Sequence, residues 1–271
     1  MIKTVISSDR RIIFNFKELA DYKELIMRLA FRDFKVRYAQ TWLGLLWAFI
    51  QPLVFLLITT LIFGKGIKVK TGAVPYPVYS MVGISAYTFF SFVLTQSGNS
   101  LINAQNLITK VYFPRLVIPI SRSIVGLIDL TIALLLLFIM MIIYKVVPSE
   151  HIVFLPLLVL EVILLSLAAG IWASALTIRF RDIQYIIPFF VQIGFYVTPV
   201  AYPSNLVPSK YALFYHLNPL AGIVDAFRWS VLGEPFSNVS YFMMSIGIVF
   251  FLLFSGIYYF RSIEDSFADI V

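Results

Sequence analysis

A chain of 271 residues that is 60% hydrophobic, 17% aromatic and only 13% charged is not a soluble domain, in which about a quarter of residues carry charge; the length of its uncharged runs also excludes an ordinary apolar core. The absence of cysteine excludes disulfides, thiol chemistry and cysteine metal sites, and two histidines, His151 and His216, are too few for a His-rich metal site. The net charge of +7 is lopsided: nine of the 21 basic residues precede position 38, beside the first apolar run, which fits a membrane surface and an orientation signal rather than a nucleic-acid patch.

The first residues lack the apolar core and small-residue cleavage site of a signal peptide. Asn15 followed by Glu18 has the form of a capping box. Leu19, Tyr22, Ile26 and Leu29 then recur at helical spacing among Lys17, Asp21, Lys23, Glu24, Arg28 and Arg32. This predicts an amphipathic helix, lying in the interface plane or packed on a partner. From Trp42 to Phe63 there is no ionisable side chain. As a helix this run is about 33 Å long at ~1.5 Å per residue, enough for a hydrocarbon core of ~30 Å. Tyr38, Trp42 and Trp47 mark its first end, as aromatic rings with a polar edge do at an interface. Gln51-Pro52 puts a polar group and a kink mid-span, so one side needs protein or water.

A second span is expected over 77–96, where Ser80, Ser85, Thr88, Ser91 and Thr95 alternate with Tyr79, Tyr87, Phe89, Phe90 and Phe92. Such hydroxyls bond the backbone or a neighbouring helix, or they line a hydrated path. Residues 99–115 are polar, with Lys110 and Arg115 at the end and Phe113-Pro114 as a turn; a short surface helix is predicted. The third span, 116–144, is too long for the bilayer, which places Arg122 at the interface, snorkelling, and Asp129 deeper. The fourth, 152–178, carries Glu161 and a run of small residues from Ala168 to Ala175 for close packing. After the charged loop Arg179-Phe-Arg-Asp182 comes a fifth span, 183–201, interrupted by Pro188, Gln192 and Pro199.

Residues 202–233 are expected to hold two short external helices. One runs from Pro208 to about Leu217. The other is capped by Asn218-Pro219 and stopped by Gly233 and Pro235, with an apolar stripe of Leu220, Ile223, Val224, Phe227 and Val231. The last span is 241–260. The expected fold is an all-α membrane protein: an N-terminal segment 1–41 with its interfacial helix, a six-span domain 42–260 with re-entrant or interfacial helices at 202–233, and a tail 261–271. With the N-terminus inside, 15 basic residues fall inside and 6 outside; loops and tail alone split evenly, so the orientation rests on the first segment. Both ends are then cytoplasmic.

No phosphate loop, GxSxG or HExxH pattern occurs, and Gly64-Lys65-Gly66 lacks the spacing of a phosphate loop. The chain is not expected to be an enzyme by itself. Asp129 and Glu161 are the candidates for chemistry: relays of a stand-alone ion-coupled carrier, or polar groups that hold helices in place.

Tyr38-Ala-Gln-Thr-Trp-Leu-Gly-Leu-Leu-Trp with Gln51-Pro52-Leu53 resembles the first-span signature of permease subunits of ABC exporters of cell-surface polysaccharides. Lys110-Val-Tyr-Phe-Pro114 resembles the segment before that family's third span. Arg179-Phe-Arg-Asp182 resembles its loop after the fourth, and Asn218-Pro219 with Arg228 its external segment before the last. The matches fall in the family's order and span most of the chain. They are nearest to the O-antigen type (Wzm-like), with capsule and teichoic acid exporters close by. The resemblance implies two copies of the chain around a channel in the cell inner membrane and two separate ATP-binding subunits that carry ATP and magnesium. It also implies a polysaccharide on an undecaprenyl-type lipid, with no cofactor on this chain. It makes 99–115 the coupling segment, with Asn103, Asn106, Lys110 and Arg115 as candidate partner contacts. An aromatic, poorly charged path suits a sugar chain of any length, and Trp42, Trp47, Phe55, Phe195 and Tyr196 are the candidate lining residues.

Overall fold

A computed structural model describes residues 16–39, 41–236 and 238–264, and among these the regular structure is entirely helical. A short turn of helix, Phe16–Asp21, leads into α1, Lys23–Phe34; the expected cap at Asn15 lies outside the described residues. The backbone widens to π-type turns over Lys35–Ala39. The first span, α2, is Gly44–Gly66: a tight opening turn, an α-helix with Pro52 inside it, and a π-type end. There follow α3, Tyr76–Gly98; α4, Val117–Ile143; α5, Leu155–Arg179; α6, Ile183–Val197; α7, Pro219–Leu232; and α8, Val239–Ile263. Among the described residues α2, α3, α4, α8 and the stretch Glu150–Arg179 are long and apolar enough to cross a membrane. The sixth apolar helix, α6, has 15 residues, about 22 Å at ~1.5 Å per residue.

The central helix is α3, buried over most of its length and packed on α2, α4, α5, α6 and α7. Inside lipid, helix association gains little from the hydrophobic effect and rests on packing and interhelical hydrogen bonds, each worth ~0.6–2 kcal/mol. Ser97 Oγ donates to the Pro119 carbonyl at 3.1 Å, and Trp172 Nε1 to the Leu252 carbonyl at 3.1 Å. Ala168, Ala173, Ser174 and Ala175 are buried on α5, as their small volumes predict.

A second apolar cluster sits at one end of the bundle. Leu29 of α1, Leu101, Ala104 and Ile108 of the 99–115 segment, Ile178 at the end of α5 and Phe260 near the end of α8 pack together. Residues 16–39, 99–116, 179–182 and the end of α8 are therefore on one side of the molecule, as an even number of spans requires.

Two expectations change. Arg122 does not snorkel: its side chain is 16% exposed and its Nη1 lies 2.9 Å from Asp33 Oδ2, because α1 folds back over the start of α4 and supplies the countercharge. The helix of the fifth span, α6, ends at Val197, short of the expected 201, because Thr198 takes an extended conformation (φ −90°, ψ 143°) before Pro199. Between the fifth and last spans, Asn218 caps α7 by accepting from Leu220 N at 3.1 Å, and Gly233 ends it in the left-handed conformation at φ 70°, as the turn chemistry predicts. Yet α7 is buried nearly all round, Ala221, Gly222, Ala226, Arg228 and Ser230 as well as the apolar stripe. It is packed among α3, α5 and α8, inserted into the bundle, which fits the re-entrant of the two expected arrangements and not the interfacial one.

Candidate functional site

A cleft of about 900 Å³ runs between α2, α3, α4 and α6, with α1 at one end. Helical periodicity decides which residues reach it. On α2, Ala48, Pro52, Phe55, Thr59 and Ile62 recur every three or four positions, joined by Gln51. On α3 the stripe is Tyr87, Thr88, Ser91, Phe92 and Thr95; on α6 it is Val191, Gln192, Phe195 and Tyr196.

The cleft's chemistry is mostly neutral. The hydroxyls of Thr88, Ser91 and Thr95 donate to carbonyls of their own helix, at 2.8, 3.0 and 2.8 Å, so they are satisfied while their oxygens still face the space. Phe195 is the hub of a ring cluster, edge-on to Phe55 at 4.8 Å, to Tyr87 at 5.7 Å and to Tyr196 at 5.2 Å. Tyr87 donates its hydroxyl to the Val191 carbonyl, tying α3 to α6.

Charge is confined to the end nearest α1, and it is paired. Arg37 Nη2 lies 2.7 Å from Asp129 Oδ2, and Tyr38 donates its hydroxyl to the other carboxylate oxygen. The Arg37 guanidinium also covers the Phe92 ring at 4.0 Å. Burial, and then the hydrogen bond to Asp129, push the Tyr38 hydroxyl well above its ordinary range, so it stays protonated as a donor. Asp33 sits between Arg122, at 2.9 Å, and Arg32, at 2.9 Å. Two long-range pairs thus pin α1 and the π-type turns to α4.

The candidate residues separate. Phe55, Phe195 and Tyr196 come together in the cleft. Trp42 and Trp47 do not line it: Trp42 stands in the turn before α2, 97% exposed, and Trp47 is 42% exposed, one step around the helix from the inward Ala48. Asp129 lines the cleft, but Glu161 does not; it is buried at 8% exposure on α5, with no hydrogen-bond partner for Oε1 among the described residues. Asn103, Asn106 and Lys110 are exposed, one helical turn apart, over the buried Leu101, Ala104 and Ile108. Arg115 differs: it is half-buried, and its backbone N–H donates to Glu264 Oε1 at 2.7 Å, anchoring the segment to the end of α8.

Comparison with known proteins decides the family. The family model described as ABC-2 type transporter matches residues 24–232, from α1 through α7. The chain belongs to the ABC-2 type transporter family. Among relatives of this ABC-2 chain is the O-antigen export system permease protein RfbA of Myxococcus xanthus, 27% identical over 93% of this chain and 97% of the relative. A protein of the same name from Klebsiella pneumoniae is 28% identical, over 92% and 95%. The polysialic acid transport protein KpsM of Escherichia coli is 24% identical, over 90% and 95%. The ABC-2 match includes every helix that forms the cleft and stops before α8.

Two features of the site had different visibility in the sequence. The hydroxyls Thr88, Ser91 and Thr95 are visible in the sequence as polar groups inside a span, though a hydrated path is only one of their two readings. The Arg37–Asp129 pair was missed: each residue looked isolated, and no local signal joins positions so far apart in the chain.

Proposed function

We propose that this chain is the path-forming membrane subunit of an ATP-driven exporter of lipid-linked polysaccharide. The observation that carries the proposal is the cleft itself: aromatic rings and satisfied hydroxyls along its length, with its charged groups paired at one end. Sugars present apolar ring faces that stack on aromatic side chains, and a path without an unpaired charge or a discrete hydrogen-bonding pocket lets a repeating polymer slide without stopping at one register. The names of the relatives, which include O-antigen export and polysialic acid transport, support the substrate class. Two copies of the chain form the complete path in this reading; that α2, which carries one wall of the cleft, is little buried within a single chain supports it. Separate ATP-binding subunits, holding ATP and magnesium, press on the face made by Asn103, Asn106 and Lys110. That face and both chain termini are cytoplasmic, and the membrane is the cell inner membrane.

A stand-alone ion-coupled carrier is the competing reading. It needs a carboxylate free to take up and release a proton inside the pathway. Asp129 is already held by Arg37 and Tyr38, and Glu161 lies outside the cleft. The deciding experiment is mild-detergent purification of the tagged chain from its own cells. The export reading requires an ATP-binding subunit to co-purify in equal amount; a chain that purifies alone and still moves lipid-linked sugar would refute it.

A further inference from the structure

The fifth span is too short to reach across the bilayer as a helix. Its 15 residues cover about 22 Å, and the chain continues without helix through residues 198–202, of which Thr198, Val200 and Ala201 are at most 1% exposed. A non-helical segment buried inside the protein has carbonyls that no helix satisfies, and each needs a donor. The donors come from two neighbouring helices. Arg228 of α7 gives Nη2 to the Val200 carbonyl at 2.9 Å and Nη1 to the Tyr202 carbonyl at 3.3 Å. Tyr76 of α3 gives its hydroxyl to the Ala201 carbonyl between them, at 2.8 Å. Asn218 Nδ2 reaches Thr198 Oγ1 at 2.9 Å.

The guanidinium is itself held. It lies over the Tyr79 ring at 3.9 Å and 3.9 Å from Asp225 Oδ1, and is 2% exposed. Gly83 allows the approach: a Cβ there would stand 2.9 Å from Val200 Cα and 3.2 Å from Arg228 Nη2. Immediately before the clamped segment come Phe195 and Tyr196, the ring pair of the cleft, and the Tyr202 hydroxyl donates back to the Tyr196 carbonyl at 2.8 Å.

We propose that Arg228 is the positioning residue of the path: by clamping 198–202 to α7 it sets where Phe195 and Tyr196 stand in the cleft, so the external helix and the aromatic wall move as one body. Arg228 does not line the cleft; it acts through the backbone it holds. A planar fork spanning two carbonyls is needed, and a lysine ammonium, a point donor, cannot reproduce it. The inference rests on the path reading above, but its test reads geometry and does not depend on export.

The natural chain has no cysteine, so introduced pairs report cleanly. The pair Phe55→Cys with Phe195→Cys reports the wall, and Trp172→Cys with Tyr259→Cys, whose rings stack at 5.0 Å between α5 and α8, reports the distant bundle. In the intact transporter, Arg228→Lys should cut oxidative crosslinking of the wall pair several-fold and leave the distant pair at its normal rate. An unchanged wall pair overturns the proposal. If Arg228→Lys lowers both pairs, Arg228→Gln, a neutral side chain that still donates from its amide but cannot span the Val200 and Tyr202 carbonyls, decides. Loss of the wall pair alone supports the clamp; loss of both or of neither overturns it. With Arg228→Lys as the only substitution, polysaccharide export at matched protein level then tests the path reading separately: a displaced wall with full export refutes the path and not the clamp.

Discussion

Asp129→Asn removes one charge from the pair that pins the π-type turns to α4 and keeps the side chain's shape. Breaking a fully buried pair from one side costs ~3–5 kcal/mol, and an exposed pair is worth ~0–1 kcal/mol. Here the Arg37 and Asp129 side chains are 26% and 17% exposed, and Arg37 keeps its stack on Phe92, worth ~0.5–1 kcal/mol. The expected loss is therefore about 2–3 kcal/mol, between the two limits and nearer the buried one. At ~2–4 °C per kcal/mol for a chain near this size, the thermal midpoint of the purified complex should drop by roughly 5–10 °C. If the pair is an anchor, replacing every member of the cluster by an apolar residue of similar shape should restore most of that stability, because no buried charge or hydroxyl is orphaned. The variant is Arg37→Met with Tyr38→Phe and Asp129→Leu. Thermal unfolding gives the stability, and surface polysaccharide at matched protein level gives the export. The anchor account expects the triple variant to recover both substantially. A triple variant that is stable yet exports nothing would mean that the Arg37, Tyr38 and Asp129 cluster acts in transport and not only as an anchor, and the reasoning fails.

Cysteines at Asn103 or Asn106 should crosslink to the ATP-binding subunit from the cytoplasmic side, and one at the buried Ala104 should not; labelling of the first two from outside would invert the topology. Phe55→Ala and Tyr196→Ala should each weaken export modestly without abolishing it, while Trp42→Ala, outside the cleft, should leave the rate along the path unchanged; an all-or-none loss at one ring would point to a discrete binding site. Glu161→Gln should keep export at the normal level and leave thermal stability equal or higher, since it relieves a buried carboxylate with an unpartnered oxygen; loss of export would give Glu161 a part in transport. His216 is buried edge-on to Tyr241 at 4.2 Å, and burial lowers its imidazole below the usual range. Its neutral form is the one that fits, so the stability it contributes is present above the unfolded value of ~6.5 and lost as pH falls from there toward the lowered folded value. Thermal midpoints at pH 5 and pH 7.5 should differ less in His216→Phe than in the natural protein, and an equal difference would refute the assignment.

The sequence was most informative where the physics is local. Uncharged runs set the spans, Asn218-Pro219 and Gly233 set the ends of α7, and the polar kink at Gln51-Pro52 marked the helix face that lines the cleft. It was least informative where the physics is between segments. Arg122 reads as a snorkelling residue until α1 brings Asp33 to it. Trp42 and Trp47 carry the same stacking chemistry as Phe55, but an aromatic residue announces its type and not its azimuth, and the azimuth depends on the tight turn that opens α2. α7 reads as amphipathic because its stripe is apolar; much of its other face is small, Ala221, Gly222, Ala226 and Ser230, as a buried helix needs, and no local signal ties Arg228 to the carbonyls at the broken end of α6.

The central claim is that this chain forms a path driven by ATP on a partner and not by an ion gradient. Inverted membrane vesicles carrying the chain and its ATP-binding subunit, loaded with lipid-linked polysaccharide on the outer, cytoplasmic face, test it directly. Transport into the lumen should require ATP and continue when ionophores collapse the proton and sodium gradients. Transport that persists without ATP and stops when the gradients collapse would contradict the account.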